Sequence, residues 1–379
     1  MFRNNHRYLL LGITLLVIQL FTGCVQATPT QTPITTSFPE GVATNPLKTF
    51  TPALTMTPST LEILPTSTRL SKRSVITVPF NCFPEELSSD SEWLTMICAT
   101  TDTLKVRKVA TGEVVTLFDR VGSESFSPDG QKLAMATYDE EGDKHSIWLY
   151  TIGEWQTPKL LLSYASIFRP SLIWSPDSQS IAIPYLEEGF ALSNLYLDGT
   201  HKNLLTYDDV QYDYAPGGRF NMSWSPDGKK ILYTTYTEND PLQSLSQAIR
   251  LRVVDVVTGQ KELLFSGKPG EAAFFPIWSP NGRLITFQPS RLEKYMRVYF
   301  FDLENKTLMG IGDFPNGYSA AWSPDSKHLA VCSTWLYIIT VATGQIDDLG
   351  ETCSSFLSWQ GNNRVIVQQN YVLYAISIP

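Results

Sequence analysis

Downstream of about residue 72 the chain alternates between short apolar runs and clusters of turn-forming residues. Runs such as "IWLYTI", "LRVVDVV", "RVYFFDL" and "WLYIITV" are apolar at nearly every position. They are too short for buried helices and do not alternate, so they predict strands covered on both faces. Each is preceded by a recurring segment: "FSPDGQKLAMA" at Phe126, "WSPDSQSIAIP" at Trp174, "WSPDGKKILYT" at Trp224, "WSPNGRLITFQ" at Trp278 and "WSPDSKHLAVC" at Trp322. Weaker copies stand at Leu87 ("LSSDSEWLTMI") and Trp359 ("WQGNNRVIV").

Successive copies begin 39, 48, 50, 54, 44 and 37 residues apart, the period of a four-stranded propeller blade. Within each copy Pro presets φ at the first corner of a β-turn, Asp bonds nearby amides, and Gly, Ser or Asn closes the turn. The preceding Trp or Phe is large enough to fill the gap between blades. A second turn, as in "ATGE" at Ala110, "LDGT" at Leu197 and "VTGQ" at Val257, leads into a short outer strand. The expected fold is therefore all-β: a β-propeller of seven four-stranded blades, with six as the alternative. The last copy has no outer strand of its own, and "SVITVPF" (Ser74 to Phe80) has no obvious partner. Pairing the two closes the ring and removes an exposed sheet edge.

The tandem W-S-P-D-G-K with its apolar strand and T-G turn resembles the TolB-type (WD40-like) propeller repeat, which is also similar to repeats of tricorn-like and prolyl-peptidase propellers. The resemblance covers Ser74 to Pro379. It implies recognition of protein segments at the mouth of the central channel, in the bacterial envelope.

The N-terminus reads differently. Arg3 and Arg7 precede the apolar run Tyr8 to Phe21, then Thr22, Gly23 and Cys24, so residues 1–23 read as a signal peptide. "LFTGC" resembles a lipoprotein processing site, which makes Cys24 the acylated N-terminus; a plain secretory signal or an uncleaved anchor helix are the alternatives. Residues 24–73 are dense in Thr and Pro and cannot bury a core, which predicts a disordered stalk. The propeller occupies 74–379, outside the cytoplasm and held to the cell membrane by lipid.

Four further cysteines remain: Cys82, Cys98, Cys332 and Cys353. Nearness in the chain favours Cys82 with Cys98 and Cys332 with Cys353, against four buried free thiols. A formal charge of −8 excludes a sequence-independent nucleic-acid binder, which needs a basic footprint.

Catalytic signatures are sparse. The four histidines, His6, His145, His201 and His328, are scattered, and no GxSxG, HExxH or P-loop occurs. The expectation is a chain that is not an enzyme and needs no cofactor or metal. A glycosidase or lyase, or a purely structural envelope component, are the alternatives.

The long, variable connections all fall on the face opposite the SPDG turns, where binding usually sits. Acids and aromatics gather there, and Asp208, Asp209, Tyr212, Tyr214, Glu187 and Phe190 are the candidate ligand face. Such a mixture suits a protein or peptide segment, with a sugar as the other candidate.

Overall fold

The computed structural model describes residues 72–378, apart from 99–101, 140, 142–143, 166–170, 185–189, 207–208, 210–221, 237–248, 267–273, 289–294, 316–318 and 355–356. It forms seven four-stranded antiparallel sheets, the seven blades expected. β1 (Lys72–Thr77) comes first in the chain and last in the ring. Blade 1 is β2 (Cys82–Leu87), β3 (Trp93–Cys98), β4 (Thr103–Lys108) and β5 (Val114–Phe118); blade 2 is β6 (Val121–Phe126), β7 (Lys132–Tyr138), β8 (Lys144–Thr151) and β9 (Glu154–Ala165). Blade 3 is β10 (Ile173–Trp174), β11 (Ser180–Ile183), β12 (Phe190–Tyr196) and β13 (His201–Thr206); blade 4 is β14 (Met222–Trp224), β15 (Lys230–Tyr236), β16 (Ile249–Asp255) and β17 (Lys261–Ser266). Blade 5 is β18 (Phe274–Trp278), β19 (Leu284–Gln288), β20 (Tyr295–Asp302) and β21 (Thr307–Pro315); blade 6 is β22 (Ser319–Trp322), β23 (His328–Cys332), β24 (Trp335–Thr340) and β25 (Gln345–Thr352). Blade 7 is β26 (Leu357–Trp359), β27 (Arg364–Gln369) and β28 (Val372–Ser377), completed by β1.

Burial follows position within a blade. The second strands are covered on both faces: β11 is buried at all its residues and β27 at Val365 to Gln368. The outermost strands are not; β17 and β25 have no buried residue. This is why the inner runs lack the alternation of a half-solvated sheet. The core is accordingly divided into seven clusters, one in each gap between neighbouring blades. Between blades 1 and 2, for example, Leu104, Val106 and Trp93 pack against Phe126, Leu133 and Met135.

The repeat motif explains how the blades are stitched. In blade 2, Ser127 Oγ donates to Asp129 Oδ1 at 2.5 Å, Asp129 Oδ1 accepts the Gln131 amide, and Ser127 Oγ accepts the Lys132 amide. The same network recurs at Ser88/Asp90, Ser175/Asp177, Ser225/Asp227, Ser279/Asn281 and Ser323/Asp325. The fourth residue of each of these six turns sits at positive φ, whether Gly130 (69°), Ser178 (60°) or Ser326 (61°).

Four of the five Trp residues that precede a turn reach backwards. Trp174 Nε1 donates to Ser125 O (2.9 Å), Trp224 to Ile173 O (3.0 Å), Trp322 to Thr286 Oγ1 (3.2 Å) and Trp359 to Ala321 O (2.8 Å). Sequence predicted that these rings fill the gaps; the structure adds that each of these four anchors its blade to the one before.

Closure is by β1 on β28, with Lys72 opposite Ile376 and Thr77 opposite Val372. The strand begins two residues earlier than Ser74 and ends at Thr77 rather than Phe80, because Phe80 lies in the turn leading to blade 1. Disulfides join Cys82 to Cys98 and Cys332 to Cys353. The first ties β2 to β3; the second ties β23 to the end of β25 in blade 6. Such bonds persist outside the reducing cytosol, which fits the expected extracytoplasmic location.

Candidate functional site

Antiparallel strand order puts the first-to-second and third-to-fourth turns at one end of every blade, and the remaining connections at the other. The second end carries the long variable loops, and four of the six residues expected to bind there, Asp208, Tyr212, Tyr214 and Glu187, lie outside the described residues. Phe190 opens β12 and pairs in register with Thr206.

Asp209 is committed to its own neighbourhood. Its Oδ2 accepts the Thr206 amide (2.8 Å) and hydroxyl (2.9 Å) and meets Lys261 Nζ at 2.5 Å, linking the end of β13 to blade 4. Partial burial pushes its carboxyl up, but the Lys261 and Thr206 contacts outweigh this and hold it below the ordinary carboxylate range.

The most exposed recognition chemistry on this end was not singled out in the sequence. Phe80, in the connection from β1 to β2, is 80 % exposed, and Phe83 at the start of β2 is 46 % exposed. Tyr371, in the turn between β27 and β28, stands with its ring 4.8 Å from Phe80 and 6.2 Å from Phe83. Backbone holds the group in place: the Val78 amide donates to Tyr371 O at 2.9 Å, and Cys82, disulfide-bonded to Cys98, donates its amide to Pro79 O. Phe80 and Phe83 are left in water beside Tyr371, which is partly buried against the cluster between blades 7 and 1, and exposed rings so gathered suit a partner's apolar or planar groups. The signal available in sequence was "PFNCF", two aromatics in a short link with no core position for the first to fill.

A second unusual group lies at the inner edge. Glu86 on β2 reaches across to blade 2, where its carboxyl accepts the Phe126 amide at 3.0 Å and lies 3.5 Å from Ser125 Oγ. Leu87 and Phe126 replace Trp in these two copies, so the indole N–H bond of the other motifs has no counterpart in this gap, and the carboxyl bonds across it instead. Burial of the carboxyl pushes Glu86 up to about 7, against the two hydrogen bonds that pull it down.

No family model matches the chain. Among curated proteins it is similar to dipeptidyl-peptidase 5 of Porphyromonas gingivalis (24 % identical over 185 residues, 45 % of this chain and 27 % of that protein). It is also similar to the uncharacterized peptidase YuxL of Bacillus subtilis (27 % identical over 155 residues, 40 % of this chain and 21 % of that protein). The chain thus spans about a quarter of the length of the curated relatives it matches. Among solved structures it is similar to the β-propeller domain of Cps50 (Swd1) from Myceliophteria thermophila (TM-score 0.56, 14 % identity, 82 % of this chain, 100 % of that one). It is similar as well to TolB from Acinetobacter baumannii (TM-score 0.44, 15 % identity, 78 % of each chain). The propeller fold and its likeness to TolB-type repeats stand together.

The peptidase relatives correct one expectation. The expectation of a chain that is not an enzyme rests on the lack of a nucleophile or metal motif, and the similarity to proteins named as peptidases overturns it. Motifs sought over a stretch that matches about a quarter of such proteins have no power against catalysis.

Proposed function

We propose that this propeller handles polypeptide segments for peptide processing outside the cytoplasm, gripping them at its loop-bearing end. The observation that carries the reading is the pair of exposed rings, Phe80 and Phe83, gathered about the partly buried Tyr371. Rings of this kind supply large contact area at little cost in side-chain entropy, which is why they dominate binding surfaces. The similarity to two peptidases supports a peptide as the bound chemistry. The acids and tyrosines of the connections within blade 3 and from blade 3 to blade 4, Glu187, Asp208, Tyr212 and Tyr214, belong to the binding end in this reading.

The test uses the full chain and a fluorescein-labelled library of random peptides, read by anisotropy. Phe80→Ser with Phe83→Ser, both exposed, weakens binding at least about tenfold, while the melting temperature stays within a degree or two of the parent. Undiminished binding by the double variant rejects the assignment to this end.

Attachment through lipid on Cys24 belongs to the same proposal. Cys24→Ser then abolishes incorporation of labelled palmitate and moves the chain from the membrane to the soluble fraction; retention of both label and membrane association rejects it.

A further inference from the structure

The turn end of the ring carries its own chemistry, independent of the aromatic group. Four of the seven gaps are closed there by a bond from one turn to the next: the Asp129 amide to Ser178 Oγ, the Asn281 amide to Ser326 Oγ, the Asp325 amide to Asn362 Oδ1, and Gln360 Nε2 to Ser91 Oγ. In three of them the group used is the serine at the fourth position of the following turn. Three turns have glycine there instead. At Gly130 a side chain would meet Ser89 Oγ at 3.0 Å, so that gap is already full. At Gly228 and Gly282 the nearest atoms are proline Cδ atoms at 3.8 and 4.0 Å, so there is room. Trp224 still anchors the first of these gaps through Ile173 O. At the second, between blades 4 and 5, Trp278 Nε1 is buried and meets no acceptor among the described residues.

That gap opens into a cleft of about 440 Å³ lined by Pro226, Asp227, Lys230, Trp278, Pro280 and Asn281. Two prolines and an indole give it apolar walls. Its polar groups are of both signs. Asn281 spends Oδ1 on Ser279 and the Arg283 amide, leaving its amide nitrogen as the donor it offers. In blade 2 the equivalent lysine, Lys132, lies 3.7 Å from Asp129 of its own turn. Lys230 instead turns to Glu262 at 3.4 Å, with both side chains about half exposed. Asp227 spends Oδ1 on the Ser225 hydroxyl and the Lys229 amide, and its Oδ2 has Lys229 Nζ at 3.9 Å as its ion pair among the described residues. Exposed pairs of this kind are worth little, so ammonium and carboxylate are both available to a ligand.

We propose that the cleft between the fourth- and fifth-blade turns is a binding site for a small zwitterion of dipeptide size. The ligand's carboxylate takes Lys230 and the Asn281 amide, its ammonium takes Asp227, and its apolar side chain lies against Trp278 and the two prolines. The volume is at the lower end of the range for small-molecule sites, which fits such a ligand. A sugar would also stack on Trp278 but has no use for the paired opposite charges.

Calorimetric titration of the full chain with Gly-Phe tests this. One molecule binds per chain, and N-acetyl-Gly-Phe-amide, which lacks both charges, binds at least about tenfold more weakly. Gly282→Ser is the decisive variant. Serine is already accommodated at this turn position at φ 60° and 61° (Ser178 and Ser326), so the variant folds, gains the turn-to-turn bond, melts no lower than the parent and loses Gly-Phe binding. Lys230→Gln, whose side chain is exposed, weakens binding about tenfold as an independent check. Phe80→Ser leaves Gly-Phe binding unchanged, which separates this site from the aromatic end. No Gly-Phe binding to the parent, equal binding of the blocked compound, or intact binding in Gly282→Ser and Lys230→Gln each overturns the proposal.

Discussion

Gln360 donates from Nε2 to Ser91 Oγ at 2.7 Å, bonding the turn of the last blade to the turn of the first. The ring is thus closed at two radii. The turn bond lies at the inner edge, and β1 on β28 lies at the rim. The cluster between blades 7 and 1 also depends on the N-terminal segment, because Ile76 and Val78 are buried in it beside Leu94, Met96 and Leu373.

A chain starting at Asn81 therefore loses two buried aliphatic side chains and a six-residue strand. Burial alone makes this a loss on the order of 4 kcal/mol. The expected outcome in differential scanning calorimetry is a large fall in melting temperature, with aggregation through the uncovered edge of β28. A truncated chain that melts with the parent and stays monomeric contradicts closure by β1.

Glu86 makes stability fall as pH rises. Its carboxyl is pushed up to about 7 in the folded chain, above the 4.5 of an unperturbed glutamate. Between those values the folded state holds a proton that the unfolded state has released, so stability is greatest below about 4.5 and declines towards 7. Glu86→Gln keeps an acceptor for the Phe126 amide and removes the titration. Above pH 7 it is expected to be more stable than the parent, by on the order of 2 kcal/mol, with the difference shrinking to nothing near pH 4. Urea unfolding at a series of pH values reads this directly, and parallel curves for the two proteins refute it.

Asp325 acts in the opposite sense. The Ser323 hydroxyl, then the Lys327 amide against a little burial, hold its carboxyl below the ordinary range. Its contribution is complete above the unfolded value near 3.8 and is lost as pH falls through the lowered folded value. Asp325→Ala should cost about 1 kcal/mol at neutral pH, as for other lost side-chain caps. Asp325→Asn should be nearly silent, since Asn281 fills the same place in blade 5 with the same two bonds. Equal melting temperatures for the alanine variant and the parent argue against the turn network.

The disulfide between Cys332 and Cys353 closes a loop of 21 residues within blade 6. Replacing both cysteines with serine is expected to lower stability by roughly 3 kcal/mol, and reductant should bring the parent down to the same melting temperature. A parent indifferent to reductant contradicts the bond's contribution.

What could be read in the sequence was what repeats. Seven copies of a turn with a Trp, Phe or Leu before it fix the blade count, and the orphan segment after Lys72 shows where the ring closes. Repetition also hides what differs between copies. The step from Ser178 and Ser326 to Gly282 looks like a neutral exchange in a turn, because both residues serve the same positive φ. Its effect on the gap between blades depends on atoms of the neighbouring turn, 54 residues before in the repeat. Glu86 is similar: in sequence it is one acid in "CFPEEL", and only the packing of β2 against the first strand of blade 2 encloses it. Phe80 ends the apolar segment expected as a strand, although its neighbours Pro79 and Asn81 favour the turn it lies in.

The pairing of Lys72 with Ile376 has one more consequence. The strand that completes blade 7 is joined to the rest of its own domain only at one end, through the link at Phe80, and it adds to β28 as a separate piece would. A β1 that peels away leaves a row of unpaired amides and carbonyls matched to its own sequence, and the strand of a second copy fits that row as well as the original. Where copies stand close together, the clasp of one ring can become the seventh-blade strand of the next, so reciprocal exchange between neighbours is a route to pairs that needs no new contact surface.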